Sequence, residues 1–103
     1  IGYQALSTED GHGRNVAVGY QALFAQNAGA DAYNTAVGYQ AGTVISTGVQ
    51  NTIIGAEAGD ALTTGNHNIA IGFNAGVGSS PTAFSNSICE YCSYLLNGLC
   101  VNA

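Results

Sequence analysis

The chain of 103 residues almost lacks basic side chains: Arg14 is its only Lys or Arg, set against six acids, for a formal net charge of −5. That balance leaves no electrostatic footprint for nucleic acid and no patch to hold anionic lipid, so neither is expected as a partner. Long apolar runs are missing too. Without 18 consecutive apolar residues there is no membrane span, and without a basic start ahead of an apolar stretch there is no signal peptide. Met is absent, and Ile1 enters in the middle of a repeat, so the chain reads as a fragment, a processed product or part of a longer protein. Large aliphatic residues are scarce: Leu, Ile, Val and Phe fill 23 positions while Ala and Gly fill 31. A single thick core is hard to assemble from such residues, and a thin, repetitive cross-section suits them better.

Recognisable catalytic patterns are lacking as well. There is no Gly-x-Ser-x-Gly turn, no recurring pair of carboxylates and no Asp-rich calcium-binding nonapeptide, and Asp10, Asp31 and Asp60 fall out of register with one another. His12 and His67 stand three and one residues ahead of their repeat Asn, so they do not stack into one site. Cys89-x-x-Cys92 with Cys100 supplies three thiols, whereas a structural zinc site wants four ligands; structural thiols or one disulfide are expected there. The expectation is a protein with no catalytic residues, no metal and no cofactor.

What the sequence does contain is a repeat. Asn15-Val-Ala-Val-Gly-Tyr-Gln-Ala22 recurs as Asn34-Thr-Ala-Val-Gly-Tyr-Gln-Ala41, Asn51-Thr-Ile-Ile-Gly-Ala-Glu-Ala58 and Asn68-Ile-Ala-Ile-Gly-Phe-Asn-Ala75. Ile1-Gly-Tyr-Gln-Ala5 is the second half of an earlier copy, and Asn86-Ser-Ile-Cys-Glu-Tyr91 reads as a decayed last one, with Glu90 in the place of Gly. The glycines Gly2, Gly19, Gly38, Gly55 and Gly72 are spaced by 17, 19, 17 and 17 residues. A period of 17 is too short for ankyrin, tetratricopeptide or leucine-rich repeats and fits one coil of a parallel β-solenoid, giving an all-β fold of about five coils. At the usual strand spacing these rise about 24 Å, a short length of something longer.

Within each copy the residues alternate. The second and fourth positions are mostly branched and the third and fifth are mostly Ala and Gly. The expectation is that Val18, Val37, Ile54 and Ile71 fill the coil interior. The smooth face of Ala17, Gly19, Ala36, Gly38, Ala70 and Gly72 would then let a second chain approach closely, predicting an oligomer. Gly42 to Gly48 and Gly59 to Gly65 each carry a shorter apolar pair before a Gly/Thr/Asn turn, predicting a second, weaker strand per coil. The Asn that opens each copy, at Asn15, Asn34, Asn51, Asn68 and Asn86, is expected to form a ladder of stacked amides. The aromatic position, Tyr3, Tyr20, Tyr39, Phe73 and Tyr91, is broken at Ala56 and reads either as a packing column or as a sugar-contacting stripe.

The one insertion lies between Ala22 and Asn34. Phe24-Ala-Gln-Asn-Ala-Gly-Ala-Asp-Ala-Tyr33 is two residues longer than its counterparts. Phe24, Asn27, Asp31 and Tyr33 make it a candidate receptor loop, since aromatic and amide groups together suit a sugar ring and its hydroxyls; a tolerated bulge is the alternative. The repeat array spans residues 1–85. In residues 86–103, Ile88, Cys92, Leu95, Leu96 and Leu99 fall on one helical face, so a short amphipathic helix competes with a last strand, and strand is favoured for Asn86 to Tyr91. Either would cap the open end of the stack or dock the next fibre segment.

Asn-Thr-Ala-Val-Gly-Tyr-Gln-Ala with Gly/Thr/Asn spacers resembles the head repeats of trimeric autotransporter adhesins and, more closely, the looser variant in bacteriophage tail-fibre proteins. The likeness covers residues 1 to about 85. It implies a left-handed parallel β-roll, a homotrimer wound about a common axis or set side by side, no cofactor, and attachment to a host-cell surface, with a surface glycan as the candidate receptor, from an extracellular virion appendage or cell surface. The coil here is longer than the adhesin head repeat, which places a bacterial surface adhesin or filament subunit second. An ice-binding solenoid ranks last, because Thr35 and Thr52 are followed by Ile69 and form no regular Thr row.

Overall fold

The computed structural model describes residues 1–76 in full and, beyond them, only the backbone of three short strands. The chain is all-β, with no helix among the described residues. Its strands are β1 (Val16–Val18), β2 (Thr35–Val37), β3 (Thr52–Ile54), β4 (Ile69–Ile71), β5 (Ile88–Glu90), β6 (Tyr94–Leu96) and β7 (Leu99–Val101). They form one sheet in the order β1-β2-β3-β4-β5-β7-β6. β1 to β4 pair parallel in strict repeat register, Ala17 against Ala36, Ala36 against Ile53 and Ile53 against Ala70. Each repeat contributes one strand to this sheet, an arrangement compatible with a β-solenoid.

Each of β1 to β4 is only three residues long because left-handed backbone brackets it. The residue ahead of each repeat Asn (Arg14, Tyr33, Gln50, His67) has φ of 55–60°. Past the strand, Gln4, Gln21, Gln40, Glu57 and Asn74 have φ of 52–57°. Such angles cost a non-glycine residue on the order of 1 kcal/mol, and here they recur at matching positions because hydrogen bonds between repeats hold them. The bonding continues beyond the strands: Gln40 N–H donates to Tyr20 O (2.8 Å), Gly42 N–H to Ala58 O (2.8 Å) and Ser46 N–H to Thr63 O (2.9 Å).

The expected second strand in Gly42 to Gly48 and Gly59 to Gly65 is absent. Tight turns stand there instead, closed by Ile45 N–H to Gly42 O (3.0 Å) and Leu62 N–H to Gly59 O (3.1 Å). Left-handed φ at Gly42 and Gly59 turns the chain too sharply for a strand.

The orientation of the sheet reverses the expectation. Ala17, Ala36, Ile53 and Ala70 point into the coil, while Val37, Ile54 and Ile71 remain 36%, 38% and 43% exposed and Val18 is half-buried. The core assignment of Val18, Val37, Ile54 and Ile71 is therefore corrected, and so is the interface assignment of Ala17, Ala36 and Ala70, which no second chain can reach from outside. The reason is volume. Ala22, Ala41, Ala58 and Ala75 are buried with the strand in the interior, and the remaining space holds one or two large side chains per level: Leu23 with Gln26, then Ile45, then Ile53 with Leu62. Where repeat one carries Leu23, the next two carry Gly42 and Gly59, and the space is taken by Ile45 Cδ1, 2.9 Å from a Cβ built at Gly42, and by Ile53 Cδ1, 3.1 Å from one built at Gly59.

The glycine column is also internal to one chain. A Cβ at Gly38 would stand 2.6 Å from Gly55 C and O, with φ at 138°. Gly19, Gly38 and Gly72 thus serve repeat-on-repeat approach rather than contact between chains.

Beyond residue 76 the residues described, Ile88–Glu90, Tyr94–Leu96 and Leu99–Val101, are strand. β5 adds parallel to β4 with Ile69 opposite Ile88, one residue away from the register that would set Asn86 against Asn68. β7 adds parallel to β5 and β6 antiparallel to β7. Asn86, Tyr91 and Cys92, and the side chains of Cys89 and Cys100, lie outside the described residues.

Candidate functional site

Two sets of columns run along the stack, one inside and one outside. Inside is the amide ladder. Asn34 N–H donates to Asn15 Oδ1 (2.8 Å), Asn51 N–H to Asn34 Oδ1 (2.8 Å) and Asn68 N–H to Asn51 Oδ1 (2.9 Å). The side-chain amides add Asn51 Nδ2–H to Asn34 Oδ1 (3.1 Å) and to Gly65 O (2.9 Å), and Asn68 Nδ2–H to Asn51 Oδ1 (3.0 Å). Asn34, Asn51 and Asn68 are buried. A buried amide must be satisfied: Asn51 and Asn68 donate to the Asn one repeat back, while Asn34 Nδ2 donates to Gln26 Oε1 and to Gly48 O (2.8 Å).

Sequence reasoning missed Gln26. It occupies the interior position that Ile45 and Leu62 take in the next repeats, fully buried, and its Oε1 accepts from Asn34 Nδ2 at 2.6 Å. Gln26 and Ala32 anchor the two shoulders of the inserted loop in the core, leaving Gly29, Ala30 and Asp31 at its exposed tip. The four candidate receptor residues do not converge. Asp31 and Tyr33 meet at Arg14, whose Nε lies 3.1 Å from Asp31 Oδ2 and whose guanidinium sits 5.9 Å from the Tyr33 ring centroid and donates to its hydroxyl at 3.2 Å. Phe24 is half-buried, and Asn27 is tied through its backbone to Ser46 O (2.9 Å). Arg14 carried no motif; only its being the sole cation beside an Asp-bearing insertion could have flagged it.

Outside, the sheet presents Val16, Thr35, Thr52 and Ile69 in one column and Val18, Val37, Ile54 and Ile71 in the next. Beyond the glycine turn Tyr3 stacks on Tyr20 (centroids 5.4 Å apart, planes 16° off parallel) and Tyr20 on Tyr39 (5.3 Å, 12°). Beside the rings runs a second amide row, with Gln21 Nε2–H donating to Gln4 Oε1 (2.8 Å) and Gln40 Nε2–H to Gln21 Oε1 (3.0 Å). The Tyr-Gln pair in three copies was the signal for both rows, and only the aromatic half was read from it.

Among the described residues no group of three or more His, Cys, Asp or Glu is placed to hold a metal ion, and no helix is long and apolar enough to cross a membrane. Compared with protein-family models, curated proteins and solved structures, the chain matches none.

Proposed function

We propose that the chain is a structural and adhesive segment of an extracellular fibre of the phage tail-fibre kind. In this reading it is a left-handed β-roll of about five 17-residue coils that assembles as a homotrimer and attaches to a host-cell surface. The observation that carries the reading is the outward apolar sheet face. Val37, Ile54 and Ile71 are 36%, 38% and 43% exposed in one column over three successive strands, and Val16 is 51% exposed at the head of the column beside it. A contiguous exposed apolar face of this kind marks an interaction surface.

The occupant of that stripe is a second and third copy of the same chain. Columns repeating at one spacing match columns repeating at the same spacing, and a face without charge meets its own kind without repulsion. The remaining surface, poor in charge and built from committed turns, leaves the protein to act by shape and contact.

Light scattering on the 103-residue chain is expected to report three copies. Ile54→Asp, which sets a charge in the middle of the stripe, is expected to return single chains that keep their β circular dichroism. A wild-type chain that stays monomeric at micromolar concentration would remove the basis for the proposal.

A further inference from the structure

The aromatic and amide columns on the outer edge break together. At the third full repeat the ring position is Ala56 and the amide position is Glu57, after which Phe73 and Asn74 resume both columns. The stack itself sets the size of the gap. Two steps of 5.4 and 5.3 Å carry it from Tyr3 to Tyr39, and two repeats likewise separate Tyr39 from Phe73, leaving their rings roughly twice one stacking distance apart, about 11 Å. One ring seated over Ala56 would lie about 5 Å from each neighbour, inside the range at which rings pair. Both walls are open to it, with Tyr39 49% and Phe73 61% exposed.

The rim of this notch selects the kind of ring. Along the amide row each glutamine donates to the one before it, so the next member is due to donate to Gln40 Oε1. Glu57 as a carboxylate has no proton to give. Among the described residues its carboxylate takes part in no side-chain hydrogen bond and no ion pair. Gln40 Oε1 and the Glu57 carboxylate therefore stand side by side as acceptors, and a complementary ligand must bring donors. An apolar or aromatic ring offers too few. A pyranose offers apolar C–H faces to Tyr39 and Phe73 and hydroxyl donors around its rim. With Glu57 at the rim and a net charge of −5 on the chain, an acidic sugar would be repelled.

We propose that the break at Ala56 and Glu57 is a binding notch for one uncharged pyranose ring of a surface glycan, held between Tyr39 and Phe73 with its hydroxyls on Glu57 and Gln40. The inference deepens the attachment reading above and rests on it for the setting in which such a glycan is met.

The test is saturation-transfer NMR on the full chain with three probes: a glucose trisaccharide, a β-linked N-acetylglucosamine trisaccharide and a galacturonic acid trisaccharide. Transfer to at least one neutral probe and none to the acidic one is expected. Ala56→Tyr, which fills the notch with the ring its neighbours carry, and Glu57→Gln, which continues the amide row, are each expected to weaken binding at least ten-fold. Neither should lower the melting temperature or change the number of chains. No transfer to either neutral probe, undiminished binding by Ala56→Tyr, or a changed chain number in that variant, which would place a second copy in the notch, would each overturn the proposal. A monomeric wild type that still binds a neutral probe would defeat the fibre reading and leave the notch standing.

Discussion

Replacing Asn51 by Ala tests the interior ladder at its best-connected rung. Asn51 Oδ1 accepts from both the backbone and the side chain of Asn68, and its Nδ2 donates to Asn34 Oδ1 and Gly65 O. Truncation removes all four bonds while Asn34 Oδ1 keeps the backbone N–H of residue 51 at 2.8 Å. At about 1 kcal/mol for each bond, and more where a buried group loses its partner, the loss is about 4 kcal/mol. That is a large share of the roughly 5–15 kcal/mol that holds a domain folded. Urea unfolding followed by circular dichroism at one chain concentration measures it, the concentration being held because the proposed assembly would add to apparent stability.

Asn51→Asp separates hydrogen bonding from shape. The isosteric side chain keeps its acceptors but turns an oxygen toward Asn34 Oδ1 and Gly65 O, and burial disfavours its charged form. The folded-state pKa of the introduced carboxyl is thus raised above its unfolded value of about 3.9. The charge penalty is absent below that pH and grows as pH rises toward the folded pKa. The Asp variant is expected to be most stable in acid relative to wild type. A loss below about 1 kcal/mol for the Ala variant, or an Asp variant whose deficit is the same at about pH 3 and about pH 7, would refute the ladder as a source of stability.

Two further outcomes follow from the packing. Gly38→Ala brings a Cβ to 2.6 Å from the Gly55 carbonyl in a strand-edge backbone with φ of 138°, so the chain is expected to lose several kcal/mol or fail to fold at about 25 °C, as read by the same urea curves. Ala36→Leu and Ile71→Ala discriminate the two faces. The first is expected to cost about 1–3 kcal/mol of folding stability by overfilling the interior, and the second to change folding little but raise the dissociation constant of the proposed trimer in sedimentation equilibrium; the opposite pattern would restore the inverted orientation.

The repeat, its period and the all-β parallel architecture were legible in the sequence because glycine and Asn recur at fixed spacing, and both residues report backbone demands that no neighbour can hide. Which face turns inward was not legible. Alternation at Thr35-Ala36-Val37 announces two faces, but the choice between them depends on how much volume the far wall supplies. That wall is Ala41 with Ile45, residues whose inward direction is set by left-handed turns at Gln40 and Gly42. A run such as Gly42-Thr-Val-Ile also looks like a short strand until those turns are known. Gln26 was hidden for a related reason: an amide in a loop reads as solvent-facing, and only the three-dimensional stack puts it above Ile45 and next to Asn34. The notch at Ala56 needed the Tyr stacking geometry to become a shape and not merely an irregularity.

The side-chain ladders have one more consequence. Asn34 donates back to Asn15, Asn51 to Asn34, Asn68 to Asn51, and on the outer edge Gln21 to Gln4 and Gln40 to Gln21. Every such bond runs from the later repeat to the earlier one, so the stack is polar, with dissimilar ends. Units joined through such rungs must meet head to tail, since reversing one would oppose donors to donors. A filament extended in this way has an arrow along its length, so whatever mounts it at one end and whatever meets its far tip face different chemistry.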